Sequence, residues 1–168
     1  MVSHVVDQRR MSLRRRYLSL GLGELAAAGV FASVAVSVVM PRLEGPKDSA
    51  ALWSALAPLL VILVQAGVYW LLARGWVEQA PMPARLAALY RVFRVLDVLL
   101  LAIALLGVVI WLPDHSGAAV GVVAVWAFGV AEYANYFVAR LAYPLRRWPF
   151  EVGKLRRPQL VHDLHSAR

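Results

Sequence analysis

The sequence predicts an all-α fold: an integral membrane bundle of four transmembrane helices with short connections. Of the 168 residues, 61% are hydrophobic and 17% are charged, whereas soluble domains have roughly 45–50% apolar and about 25% charged residues. Four apolar runs reach about the 20 residues that a helix needs to cross roughly 30 Å of hydrocarbon. Because hydrocarbon offers no partner to unpaired backbone amides, runs this long are expected to be helices rather than barrel strands.

The first two runs have clear limits. The first, about 17–40, contains the charged residue Glu24 and ends before Pro41. It is longer than the roughly 7–15 apolar residues of a signal-peptide core, which favours a retained helix. The second run, about 50–72, is preceded by Asp48 and Ser49 as candidate N-caps and is followed by a basic residue.

Proline residues end the other two runs. The third run, about 90–112, stops at Pro113, and the fourth, about 118–143, stops at Pro144. The link between them is so short that the two helices are expected to form a close antiparallel hairpin.

The distribution of Lys and Arg predicts the topology. The N-terminal segment 1–16, the link after the second run and the tail 144–168, counted with their helix ends, hold five, four and seven of these residues. The other two links hold only Arg42 and Lys47. By the positive-inside rule, both termini are expected in the cytoplasm, with the chain in a bacterial inner membrane.

The basic segments are expected to contact anionic lipid headgroups on the cytoplasmic side. In the tail, cations alternate with aromatic residues, as they do in proteins that bind single-stranded nucleic acids. Their position beside the membrane makes headgroups the nearer partner, and no nucleic-acid partner is expected. The residues assigned to headgroup contact are Arg14, Arg15, Arg16, Arg146, Arg147, Trp148, Lys154, Arg156 and Arg157.

Every apolar run contains a polar residue, which is costly in hydrocarbon and therefore needs a partner. Counted from the predicted cytoplasmic ends, these residues share a depth of roughly 10–14 Å at about 1.5 Å per residue. We expect one intramembrane polar layer, made of Glu24, Gln65, Asp97, Glu132 and Asn135. Arg94 precedes Asp97 by three residues and is an alternative partner for it on the same helix.

Small residues predict the packing face of the fourth helix. Gly117 and Gly121 have the spacing that permits close helix approach. At about 100° per residue, Ala124, Phe128 and Glu132 fall on the same side. This side is expected to face other helices rather than lipid.

Two functions stay open at this point. In the first, hydrogen bonds in the polar layer fix the packing of a non-enzymatic interaction component, in a homo-oligomer or with a membrane protein partner. In the second, the chain is a small proton- or cation-coupled transporter or ion pathway, since three carboxylates in a low-dielectric core cannot all stay charged without countercharge. An enclosed, paired layer favours the first function, and a cavity that reaches the carboxylates favours the second.

The residue types exclude several chemistries. With no Cys in the sequence, disulfides, thiol catalysis and iron–sulfur clusters are excluded. All four histidines lie outside the apolar runs, and His162 and His165 are expected to be ordinary polar residues of a frayed tail. Glu132 and Asn135 have the spacing of the Glu-x-x-His pairs of carboxylate metal bundles, but Asn is a poor substitute for His. No enzymatic activity, cofactor or metal site is predicted.

Overall fold

The computed structural model of the chain describes residues 2–77, 79–138 and 158–167, with side chains from residue 8 onward. The described residues form five α-helices and no strand. The helices are α1 (Val2–Val34), α2 (Pro46–Ala73), α3 (Ala84–Ile110), α4 (Ser116–Phe137) and α5 (Gln159–Ser166). The predicted end of the fourth run and most of the basic tail fall in 139–157, outside the described residues.

Four of these helices, α1 to α4, are long and apolar enough to cross a membrane, and the chain is a multi-pass membrane protein. The predicted all-α bundle is confirmed. α1 begins before the first apolar run, because the basic segment ahead of it contains no Gly or Pro and continues the same helix. α1 then passes through a π-helical turn (Ala35–Val39) and a 3-10 turn (Met40–Arg42).

The start of α2 differs from the prediction. The helix begins at Pro46, whose fixed φ and missing N–H suit the first helical position. The residue before it, Gly45, stands at the N-cap without a side-chain cap. Asp48 and Ser49, predicted as caps, instead lie inside the first turn, where Asp48 complements the helix dipole.

α2 is the central helix and packs against α1, α3 and α4. The contact between α3 and α4 is smaller, so the predicted hairpin is a minor interface and each of its helices packs mainly on α2. Across it, Trp126 Nε1 donates a hydrogen bond to the Leu101 carbonyl at 3.0 Å.

Glycines mark two close contacts between α2 and its neighbours. A Cβ added to Gly67 would lie 2.7 Å from Leu25 Cγ and 3.1 Å from the carbonyl oxygen of Gly21 on α1. A Cβ added to Gly107 on α3 would lie 2.5 Å from Ser54 Oγ on α2. These glycines therefore let the backbones of α1 and α3 approach α2 closely.

The predicted packing face of α4 is wrong in its N-terminal half, around Gly117 and Gly121, whereas Phe128 and Glu132 further along the same face lie beside α1. A Cβ added to Gly117 or Gly121 would meet no atom within 4 Å, and Phe128 is 41% exposed. The buried face carries Val122, Gly129, Tyr136 and Phe137 instead. Helical phase groups residues on one side of a helix, but it does not say which side meets the neighbours, and here the bulkier side fills the space beside α2.

α5 packs against one end of the bundle, which we call the α5 end; α2 and α4 finish and α3 begins there. Leu160 and Leu164 of α5 join a core cluster with Tyr69, Tyr90 and Phe137. The frayed tail predicted for His162 and His165 is therefore wrong, because both lie on this packed helix.

Candidate functional site

The structure divides the predicted polar layer into two clusters on different sides of α2. Gln65 of α2 meets Asp97 of α3; we call these two residues the α2–α3 pair. Glu24 of α1 lies near Glu132 and Asn135 of α4; we call these three residues the α1–α4 cluster. The layer is therefore two separate sets of contacts.

The α2–α3 pair is enclosed. Asp97 is 1% exposed, and its Oδ1 accepts a hydrogen bond of 3.1 Å from Gln65 Nε2. Tyr90 OH donates to the Gln65 backbone carbonyl at 2.9 Å, which further ties α3 to α2. Arg94, the alternative partner, is exposed, and Asp97 takes its hydrogen bond from Gln65 instead. Asp97 Oδ2 and Gln65 Oε1 are buried without a hydrogen-bond partner among the described residues.

Two aromatic side chains extend the α1–α4 cluster through hydrogen bonds. Tyr136 OH donates to Glu24 Oε1 at 2.5 Å, and Trp70 Nε1 of α2 lies 3.4 Å from the same hydroxyl as a donor. Glu132 is hydrogen-bonded to the Asn135 side chain, and its carboxylate lies within electrostatic range of that of Glu24. The cluster thus holds two carboxylates that share one region between α1 and α4.

Helical phase correctly placed Glu24 on the inner face of α1. Gly21 and Ala28, on the same face, are buried, and Gly21 lies against α2. Phe31 of α1 packs against Phe128 of α4, with ring centroids 5.7 Å apart. These contacts hold α1 beside α4 and bring Glu24 within reach of Tyr136.

A cavity of about 270 Å³ reaches the α1–α4 cluster from the α5 end. Its polar lining includes Arg16, Glu24, Asn135 and Gln159, and the ring of Trp70 forms part of its wall. Three residues of the α5 region, Pro158 to Leu160, line one side of it. The α1–α4 cluster is thus accessible from a cavity, whereas the α2–α3 pair is enclosed.

Asp163 on α5 is a buried polar residue that the sequence interpretation missed. It is 8% exposed and accepts hydrogen bonds from Tyr69 OH at 2.8 Å, Trp76 Nε1 at 3.1 Å and Gln159 Nε2 at 2.8 Å. It therefore fastens α5 to the end of α2. The available signal was the helical spacing of apolar residues after Pro158, at positions 160, 161, 164 and 167.

The residues assigned to headgroup contact are described only in part. Arg14, Arg15 and Arg16 are exposed on α1 towards the α5 end, and Arg16 also lines the cavity. The other six lie outside the described residues: Arg146, Arg147, Trp148, Lys154, Arg156 and Arg157.

Comparison with known protein families, curated proteins and solved structures finds no match to this chain. Within the described ranges, no group of three or more His, Asp or Glu side chains could hold a metal ion. The two polar clusters, the cavity and the outer surface of the bundle are therefore the features from which function is inferred.

Proposed function

We propose that this chain is a non-enzymatic packing component of the membrane that assembles with further copies of itself through the outer face of α4. The alternative is that a different membrane protein binds to that face. The observation that carries the proposal is a contrast between the outer surfaces of two neighbouring helices.

The outer surface of α4 carries more small residues than that of α3. α3 exposes Val95, Leu99, Ile103, Leu106 and other large aliphatic side chains. α4 exposes four small residues at close helical spacing, Gly117, Gly121, Ala124 and Ala127, beside the larger Val120, Val123 and Phe128. Lipid tails solvate large apolar side chains well, whereas helix interfaces in membranes are enriched in small residues that allow close approach. The α4 face therefore suits a neighbouring helix, and the α3 face suits lipid.

The polar clusters support a packing role inside each copy. The Gln65–Asp97 bond joins α2 to α3, and the Tyr136–Glu24 bond joins α4 to α1. Interhelical hydrogen bonds in membranes contribute about 0.6 kcal/mol each on average, so their main effect is to fix the register of the helices.

Gly121→Leu tests the assembly. Since Gly121 has no neighbour within 4 Å, the substitution should leave the single-chain fold intact and reduce the number of associated copies, counted by single-molecule photobleaching in liposomes. Gly29→Leu is the matched control, because Gly29 on α1 has equally open surroundings. A wild type that is monomeric in liposomes would overturn the proposal. Equal losses in both variants would contradict the assignment to α4.

The proposed location is a bacterial inner membrane, with both termini and the α5 end in the cytoplasm and with anionic headgroups around the basic residues. At the opposite end, Lys47 in the first turn of α2 and Asp114 in the link between α3 and α4 form an exposed ion pair with a 3.0 Å N–O distance. Reporters fused before Met1 and after Arg168 should be cytoplasmic, and one inserted near Asp114 should be external. An external C-terminus would contradict this topology.

The cavity favours a second candidate, a proton- or cation-coupled pathway through Glu24 and Glu132. Two neighbouring carboxylates in a membrane segment favour a proton or cation between them. The cavity supplies access to Glu24 from the α5 end. Asp97, the third carboxylate of that hypothesis, is enclosed at the α2–α3 pair and does not line the cavity.

A further inference from the structure

A second cavity, of about 500 Å³, forms a groove between α3 and α5. Its lining consists of Arg91, Arg94 and Val95 from α3 and of Val161, Leu164 and His165 from α5. Two guanidinium groups and an imidazole thus lie beside three aliphatic side chains, and none of the described residues that line the groove is acidic. This composition suits a ligand with an anionic group and an apolar body.

The basic side chains of the groove keep donors available for a ligand. Arg91 Nη2 donates to the Leu164 backbone carbonyl at 3.0 Å, which uses one of the five N–H donors of the guanidinium. The Arg94 side chain is exposed and makes no hydrogen bond within the described ranges. His165 Nδ1 lies 2.7 Å from the Val161 carbonyl oxygen. The other ring nitrogen, Nε2, takes no part in that contact and can face a ligand.

In the proposed topology, the groove lies at the depth where a phospholipid headgroup meets the hydrocarbon. Arg91 and Arg94 are in the part of the membrane-spanning helix α3 nearest the α5 end, and exposed Val95 and Leu99 continue its outer surface away from that end. The planar guanidinium binds phosphate oxygens in pairs, and basic pockets beside cytoplasmic helix ends suit anionic headgroups.

We propose that the α3–α5 groove binds one anionic phospholipid, with its phosphate on Arg91 and Arg94 and an acyl chain along the outer face of α3. The inference rests on the proposed contact with anionic headgroups, gives it a defined site and adds a role. A lipid held there bridges a transmembrane helix to α5, so its binding stabilises the docked position of α5.

The test compares the full chain in nanodiscs of phosphatidylcholine with and without phosphatidylglycerol. Retained lipids are counted by native mass spectrometry, and the thermal midpoint is measured in parallel. Arg94→Gln is the main variant, because this side chain makes no hydrogen bond to the described part of the chain. Arg91→Gln is the second variant. Arg85→Gln is the matched control, since Arg85 is exposed on the same helix outside the groove.

We expect the wild type to retain phosphatidylglycerol and to gain thermal stability from it. Arg94→Gln and Arg91→Gln should each weaken retention about fivefold, the effect of one cation near an anionic surface. Arg85→Gln should retain the lipid like the wild type. Glycerol 3-phosphate added to phosphatidylcholine nanodiscs carries the same phosphate chemistry without acyl chains, and it should not raise the thermal midpoint.

Three results would overturn the site. The wild type could show no preference for phosphatidylglycerol, or Arg85→Gln could lose as much lipid as Arg94→Gln, which would indicate diffuse surface charge. Stabilisation by glycerol 3-phosphate alone would identify a soluble phosphate as the ligand. The reporter fused after Arg168 tests the proposed topology independently of the lipid site. An external reporter would contradict the topology whether or not the protein retains phosphatidylglycerol.

Discussion

α2 and α4 are both long apolar helices with glycine in their interiors, but their surroundings differ. α2 has neighbours on three sides, and a Cβ on its Gly67 would clash with Leu25 and approach the backbone of Gly21. α4 lies at the periphery, and a Cβ on its Gly121 would meet nothing within 4 Å. The difference shows that a small-residue pattern indicates that a helix can be approached closely, while the position of the helix in the bundle decides what approaches it.

The polar residues of the two helices differ in the same way. Gln65 of α2 is held between helices and pairs with an almost fully buried carboxylate. Asn135 of α4 lines a cavity, and Glu132 beside it is only partly buried. The polar residue of the central helix α2 thus makes an enclosed contact, whereas the polar residues of the peripheral helix α4 lie at or beside a cavity.

The largest expected effect is that of Gly67→Leu. The new side chain would collide with Leu25 and the α1 backbone, so we expect a loss of about 3 kcal/mol of unfolding free energy, at the upper end of overpacking costs. Thermal or denaturant unfolding in detergent measures it. Gly121→Leu is the control and should change the stability of the single chain by less than about 0.5 kcal/mol. Equal losses would abolish the distinction between the two helices.

Asp163→Ala should have the next largest effect. It removes the buried acceptor shared by Tyr69, Trp76 and Gln159, so we expect a loss of about 2 kcal/mol and the release of α5 from the end of α2. Hydrogen exchange of α5 amides reports the release. His162→Ala removes only the exposed imidazole, whose Nδ1 lies 3.8 Å from Asp163 Oδ1, and should leave exchange unchanged. Slow exchange in both variants would show that apolar packing alone holds α5.

Val122→Ala tests the corrected face of α4. Val122 is 6% exposed and packs with Ala51, Ala55 and Val108, so its truncation should cost about 1 kcal/mol. Val120, which is 68% exposed on the same helix, provides the control, and Val120→Ala should be silent. The thermal midpoints of the two variants give the comparison. A larger loss at Val120 than at Val122 would contradict the buried face assigned to α4.

Substitutions of Glu132 should have the smallest effect on stability and also separate the two candidate functions. Glu132→Gln can keep its hydrogen bond with Asn135 and should be nearly silent, whereas Glu132→Leu should cost about 0.6 kcal/mol. Proton flux in liposomes is measured for both variants and the wild type. Wild-type flux that disappears in a folded Glu132→Gln protein would favour the coupled pathway over the packing role.

The predictable part of the fold came from long apolar runs. Each of the four spans matches at least one of its predicted limits within a few residues, because a run of about 20 apolar residues next to Pro or Arg has few other stable conformations. The inner face of α1 was also predictable, since Glu24 shares it with Gly21 and Ala28. The start of α1 and the folding of α5 were not, because α5 is short and its apolar spacing becomes informative only beside a surface that accepts it.

The sequence by itself determined that this is a membrane protein of four spanning helices and which residues carry its intramembrane polar groups. Hydrophobicity and helical period act locally along the chain, so they can be read without knowing the neighbours. Only the tertiary structure decided that α2 is central, that Gln65 pairs with Asp97 and Tyr136 with Glu24, and that Asp163 fastens α5. These contacts join residues far apart in the sequence, and lipid solvates every apolar helix face well enough that hydropathy alone cannot select among the possible packings.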